Sequence, residues 1–111
     1  WCTCPNANLY IENKLPDYSY FIHSGAVLTI GTDSLASNWS LSVLDELKTI
    51  QRYNPQISLQ TLLTWATKNG ADFLGLNHLG SIEKGKTPGL LLLQGISDFQ
   101  IKDNTSVKRI V

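Results

Sequence analysis

A short apolar run, Ala26-Val-Leu-Thr-Ile30, stops at Gly31 and gives way at once to Thr32, Asp33 and Ser34. The run is preceded by Gly25 and ends in β-branched residues, so it reads as a strand buried on both faces, as parallel sheets use. It also leaves an acid where the strand ends. In parallel α/β architectures, ligands and catalytic groups gather at the carboxyl ends of strands. A carboxylate in that place can hold a cation or take a proton from a metal-bound water. The same residues suit a plainer role, because Asp and Ser after a strand also cap the next helix or shape a turn.

The flanking sequence predicts what such a strand pairs with. Trp1 to Cys4 reads as the end of an earlier strand, which Pro5 closes, and Asn6-Ala-Asn8 is expected to open a loop. A short helix is predicted from Pro16 to Gly25, with Tyr18, Phe21 and Ile22 on one face. His23 falls near its C-terminal end, where it eases the helix dipole. Strand, helix and strand then follow in the size of a βαβ unit, which implies a parallel pair and a right-handed crossover.

Downstream, Ser40 is expected to cap a helix running to about Tyr53. Leu41, Leu44, Leu47 and Ile50 form its stripe, and Asp45, Glu46, Lys48 and Arg52 its solvated faces. Asn54-Pro55 ends it. Ser58 caps a second helix with Leu59, Leu62, Leu63, Trp65 and Ala66 as core candidates, and Asn69-Gly70 marks its end. Ala71 to Gly75 adds one short helical turn, and His78 sits in a loop expected to face solvent. Beyond a polar turn region at 83–89, Leu90 to Leu93 reads as a buried strand. Phe99 to Ile101 and Val107 to Val111 read as two more short strands.

Composition narrows the function classes. Nine Lys and Arg balance nine Asp and Glu. No net field therefore favours nucleic acid or a membrane surface, and neither is expected as a partner. No segment has the apolar length to cross a bilayer. Cys2 and Cys4 are the only cysteines. Their spacing suits a disulfide poorly and makes no zinc site, so they are expected to be buried and reduced, in a cytoplasmic protein. Asn38-Trp-Ser40 matches a glycosylation sequon and is taken as a chance match. The chain opens at Trp1 and has no methionine, so it is expected to be a piece of a longer protein.

Several motifs in order resemble the last third of metal-dependent amidohydrolases. They are Cys4-Pro-Asn-Ala-Asn8, Gly25, Gly31-Thr-Asp-Ser-Leu-Ala-Ser-Asn38, Leu62 to Ala71 with Leu74-Gly-Leu76, and Gly80 to Lys86 before an apolar strand. The branch they resemble contains cytosine, guanine and adenosylhomocysteine deaminases and triazine chlorohydrolases. The resemblance implies an α/β chain that is the C-terminal part of a (β/α)8 hydrolase barrel. Residues 1–83 would hold the last two barrel strands and following helices, and residues 84–111 strands of a small β domain. Asp33 would be the catalytic acid of the last barrel strand, touching the metal and taking a proton from the attacking water. Asn8 and Ser34 would face the substrate.

The departures are informative. The family's His-rich first strand, its two later His ligands and its proton-shuttling acid have no counterpart here, and neither His23 nor His78 falls at a ligand position. Thr3 stands where many relatives have His, and Gly89 where an acid is usual. The resemblance therefore implies an enzyme hydrolysing a non-peptide C–N bond of a purine- or pyrimidine-like heterocycle. The intact parent would carry a divalent metal, zinc or alternatively iron. The 111-residue chain alone is expected to be inactive and metal-free, and to associate as a homo-oligomer through unpaired strands. The competing expectation is a self-standing α/β scaffold or interaction domain without catalysis.

Overall fold

The structure is a computed structural model that describes residues 1–111. Its N-terminal half is organised by the expected parallel pair. Strand β1 (Cys2–Thr3) lies beside β2 (Thr29–Ile30), with Cys2 opposite Thr29 and Thr3 opposite Ile30. The ladder is shorter than the Ala26–Ile30 run, since only Thr29 and Ile30 pair as strand. Backbone bonds extend the contact at both ends: the Trp1 amino group donates to Val27 O at 2.9 Å, and Gly31 N–H to Thr3 O at 2.9 Å.

Two helices make the crossover. Helix α1 (Pro5–Glu12) occupies the stretch expected to be a loop. Pro5 closes the strand, but its fixed φ and missing N–H also suit the first position of a helix. Asn8 N–H then bonds Cys4 O at 3.0 Å, and the helix ends on left-handed Asn13. Helix α2 (Tyr18–His23) is capped by Asp17, which accepts Tyr20 N–H at 3.2 Å. Of its predicted face, Tyr18 is fully buried and Phe21 packs against the core, while Ile22 stays exposed.

Helix α3 (Val43–Tyr53) begins two residues later than expected, because Ser42 accepts Asp45 N–H. The Ser40 hydroxyl instead donates to the Asp45 carboxylate at 3.0 Å. Helix α4 (Leu59–Ala66) is capped by Ser58 as predicted. It breaks at Thr67, and α5 (Lys68–Phe73) carries Asn69 and Gly70 inside it rather than after it. Asn69 Nδ2 donates to Leu28 O at 2.7 Å, which ties α5 to the approach of β2.

One core joins these pieces. Tyr18, Leu28, Leu47, Ile50, Leu62 and Trp65 pack together with Ile57 and, from far along the chain, Ile101. Gln51 secures that last contact, with its Nε2 donating to Ile57 O and its Oε1 accepting Ile101 N–H.

The C-terminal stretch is a hairpin of β3 (Leu91–Gln94) and β4 (Ser106–Arg109), antiparallel, with Leu91 opposite Arg109. The expected burial of Leu90 to Leu93 does not occur: Leu91 is 65% and Leu92 44% exposed, because no third layer covers a two-stranded ladder. Phe99 to Ile101 is not a strand either. Ser97 and Gln100 pair across a tight turn whose central residues, Asp98 and Phe99, have φ of 52° and 54°. Such primed turns need positive φ at both central positions. No helix is long and apolar enough to cross a membrane.

Candidate functional site

β1 and β2 run parallel, so their carboxyl ends open onto one side of the pair, and the segments that follow meet there. After β1 come Cys4 and the start of α1; after β2 come Gly31, Thr32 and Asp33. The lack of a side chain at Gly31 eases this approach. A Cβ there would lie 3.0 Å from Cys2 Sγ and 3.1 Å from Cys4 Sγ. Both cysteines are free, but neither is buried as expected: Cys2 is exposed and Cys4 only partly covered. Burial, with the neighbouring Cys2 thiol, pushes the Cys4 thiol up to about 11. Cys4 is therefore a protonated, unreactive thiol at neutral pH.

Asp33 is exposed at the end of β2, in the left-handed region with φ 57°. A non-glycine residue held there is uncommon and must be fixed by its surroundings. It caps no helix, since Ser42 caps α3. Its carboxylate accepts the Ser37 hydroxyl at 2.8 Å, and the Ser34 hydroxyl accepts Ala36 N–H at 3.3 Å. Asp33 and Ser34 thus share one tight exposed turn. Asn8 lies on the second turn of α1 and lines an open cleft with Glu12, Lys14, Leu15, Pro16 and Asp17, a cleft that does not reach Asp33 or Ser34. His23 bonds Ser19 O within its own helix at 2.7 Å, and His78 is exposed.

Behind the turn lies a polar cluster that the residue pattern did not reveal. Glu46, expected on a solvated face of α3, is 0% exposed. One carboxylate oxygen accepts Asn6 N–H at 2.7 Å and the other accepts Asn38 Nδ2 at 2.6 Å. Asn38 Nδ2 also donates to Thr32 O at 2.7 Å, and Asn38 Oδ1 accepts Ser40 N–H. The Thr49 hydroxyl completes the cluster by donating to Asn6 Oδ1. Burial raises the Glu46 carboxyl above the ordinary carboxylate value, and the N–H donors offset part of that rise. Asn38 is itself buried with its amide in use, so its sequon is closed to a glycan. The spacing held a clue to Glu46. It precedes Thr49 and Ile50 by three and four residues, so it shares their helix face.

Asp33 is a candidate metal ligand, but it stands alone. No three His, Cys, Asp or Glu side chains converge anywhere in the chain. A catalytic zinc takes three protein ligands and an open position, so these residues by themselves do not fit one.

The model described as "Amidohydrolase family" matches residues 1–110. The 5-methylthioadenosine/S-adenosylhomocysteine deaminase of Bacillus cytotoxicus is 33% identical over 89 residues, which are 74% of this chain and 20% of that protein. The corresponding deaminase of Bacillus anthracis matches to the same extent. Among solved structures, an adenosine deaminase from Xanthomonas campestris with bound zinc superposes with a TM-score of 0.71 at 31% identity, covering 81% of this chain and 22% of that one. Helicobacter pylori aminofutalosine deaminase, in complex with methylthio-coformycin, gives 0.71 at 32% identity, covering 89% and 25%. The chain therefore spans about a fifth of the length of the curated relatives it matches.

Proposed function

The chain belongs to the amidohydrolase family, and on that premise we propose that it is the C-terminal part of a deaminase acting on a purine- or pyrimidine-like heterocycle. The observation that carries this reading is the position of Asp33, exposed on the turn that follows a parallel strand. An acid there is free to accept a proton at a carboxylate oxygen from the water that attacks the ring carbon, and to pass it to the departing amine. General acid–base assistance of this kind contributes about 10²–10⁴-fold. Ser34, on the same turn, and Asn8, on the helix after β1, are proposed to contact the substrate.

The proposal extends to the whole protein. Residues 1–83 would complete a (β/α)8 barrel and residues 84–111 would join a small β domain. A divalent metal, zinc rather than iron, would be held by ligands from other strands, with Asp33 as its one contact from this chain; zinc is present in the Xanthomonas campestris relative. Such an ion supplies Lewis-acid activation of water. The two free thiols favour a cytoplasmic home, and the unpaired strand edges favour a homo-oligomer. No nucleic acid or membrane is proposed as partner.

The test is Asp33→Asn in the whole protein, assayed by ammonia release from an aminopurine nucleoside. Turnover should fall by about 10²–10⁴-fold with the fold intact. Near-normal turnover would leave Asp33 only its part in the turn.

A further inference from the structure

The peptide that enters Asp33 is held at its carbonyl end. Its carbonyl, from Thr32, accepts Asn38 Nδ2 at 2.7 Å. Rotation of this peptide plane would swing Asp33 out of its left-handed φ of 57° and move its carboxylate. Asn38 is what holds the carbonyl end, and it is not free to choose its orientation. Both hydrogens of its amide are committed, one to Thr32 O and one to Glu46 Oε1, and its oxygen faces Ser40 N–H.

We infer that Glu46 is a positioning residue for Asp33: it orients the Asn38 amide, which clamps the Thr32–Asp33 peptide, and it ties that turn to the start of α1. The tie is the second carboxylate oxygen, which accepts Asn6 N–H, a first-turn donor with no partner inside the helix. Asn6 lies three residues after Thr3, the last residue of β1. One buried side chain thus locks together the segments that follow both parallel strands. Only an acceptor at both oxygens can do this. A glutamine in its place must aim its own NH2 at one of the two donors. A buried polar group left unmatched is costly enough to shift its neighbours.

The role rests on Asp33 being the proton-accepting acid, and the test separates the two. Glu46→Gln and Thr49→Val are made in the whole protein. Thr49→Val removes a bond in the same cluster without touching Asn38 or Thr32. In crystal structures, Glu46→Gln should shift the Thr32–Asp33 peptide while Thr49→Val leaves it in place. Deaminase kcat should fall on the order of 10²-fold in Glu46→Gln, as for a misplacement of about 1 Å, with KM little changed, and should hold in Thr49→Val. A Glu46→Gln turn that superposes on the wild type overturns the inference, as does an equal kcat loss in both variants. A wild type without deaminase activity fails the functional reading, and the crystal comparison still decides the positioning role. Should Glu46→Gln not fold, wild-type protein labelled with 15N-asparagine serves instead. Two resolved, slowly exchanging Asn38 amide protons are expected, and a fast-exchanging, averaged pair refutes the clamp.

Discussion

Asn38 and Glu46, eight residues apart, meet at 2.6 Å, and both are buried. Every buried side-chain polar atom in the chain has a hydrogen-bond partner, including these. That satisfaction is what makes a carboxyl group tolerable in the interior, since an unpaired one costs several kcal/mol.

Burial of Glu46 has a pH signature. Its folded carboxyl is raised above the reference 4.5, chiefly by burial. Over the window from about that value up to the folded one, the native state binds the proton more tightly than the unfolded state does. Stability therefore falls as pH rises through the window and levels off above it. Glu83 and Asp103 act with the opposite sign, because Ser81 and Arg52 respectively hold their carboxyls below the usual range. Urea unfolding of the wild type and Glu46→Gln isolates the effect. The wild-type stability minus that of the variant should decline with rising pH, and a rising difference would contradict the sign.

Two leucines should behave in opposite ways. Leu62 is fully buried at the centre of the core, so Leu62→Ala should cost about 2–5 kcal/mol. Leu91, equally apolar, is 65% exposed on the hairpin, and Leu91→Ala should change stability by less than about 0.5 kcal/mol. Denaturant midpoints compare them directly. Equal costs would mean that the outer face of β3 is covered.

The thiols should differ in reactivity. Cys2 is exposed, whereas the Cys4 thiol is partly covered and raised to about 11, leaving about one part in a thousand ionised at pH 8. Under limiting iodoacetamide, peptide mass spectrometry should find Cys2 labelled well before Cys4. Simultaneous labelling would show that the segment after β1 opens freely.

The 111-residue chain, dialysed on its own, should retain no stoichiometric zinc or iron, because Asp33 has no companion ligand. It should also scatter light as a dimer or larger species. Its parallel pair has two open edges, and Leu91 and Leu92 face solvent on β3. One metal bound per chain, or a monomer that unfolds cooperatively, would favour a self-standing domain.

Local chemistry carried much of this architecture in plain view. The βαβ unit, the Ser58 cap and the core roles of Leu62 and Trp65 follow from periodicity and capping residues within a few positions of each other. Asp33 stood out because a glycine and an acid follow directly on a strand. What stayed hidden depended on distance. Glu46 reads as an ordinary acid in the first turn of α3, and its partners lie outside the helix, on Asn38 and on Asn6 forty positions earlier. Leu90 to Leu93 reads as buried because four leucines carry no record of whether a covering layer exists. Asn6 to Asn8 reads as loop because Pro5 both ends strands and begins helices.

The reach of the core to Ile101 also sets a clock on synthesis. Leu62 and Trp65 leave the ribosome well before Ile101, which must arrive to close the cluster and to satisfy Gln51. At about 5–20 residues per second, the interval from Leu62 to Ile101 is roughly 2–8 s. For that time the nascent helices hold an apolar face with its last contributor still inside the exit tunnel, which is the surface a ribosome-bound chaperone would shelter.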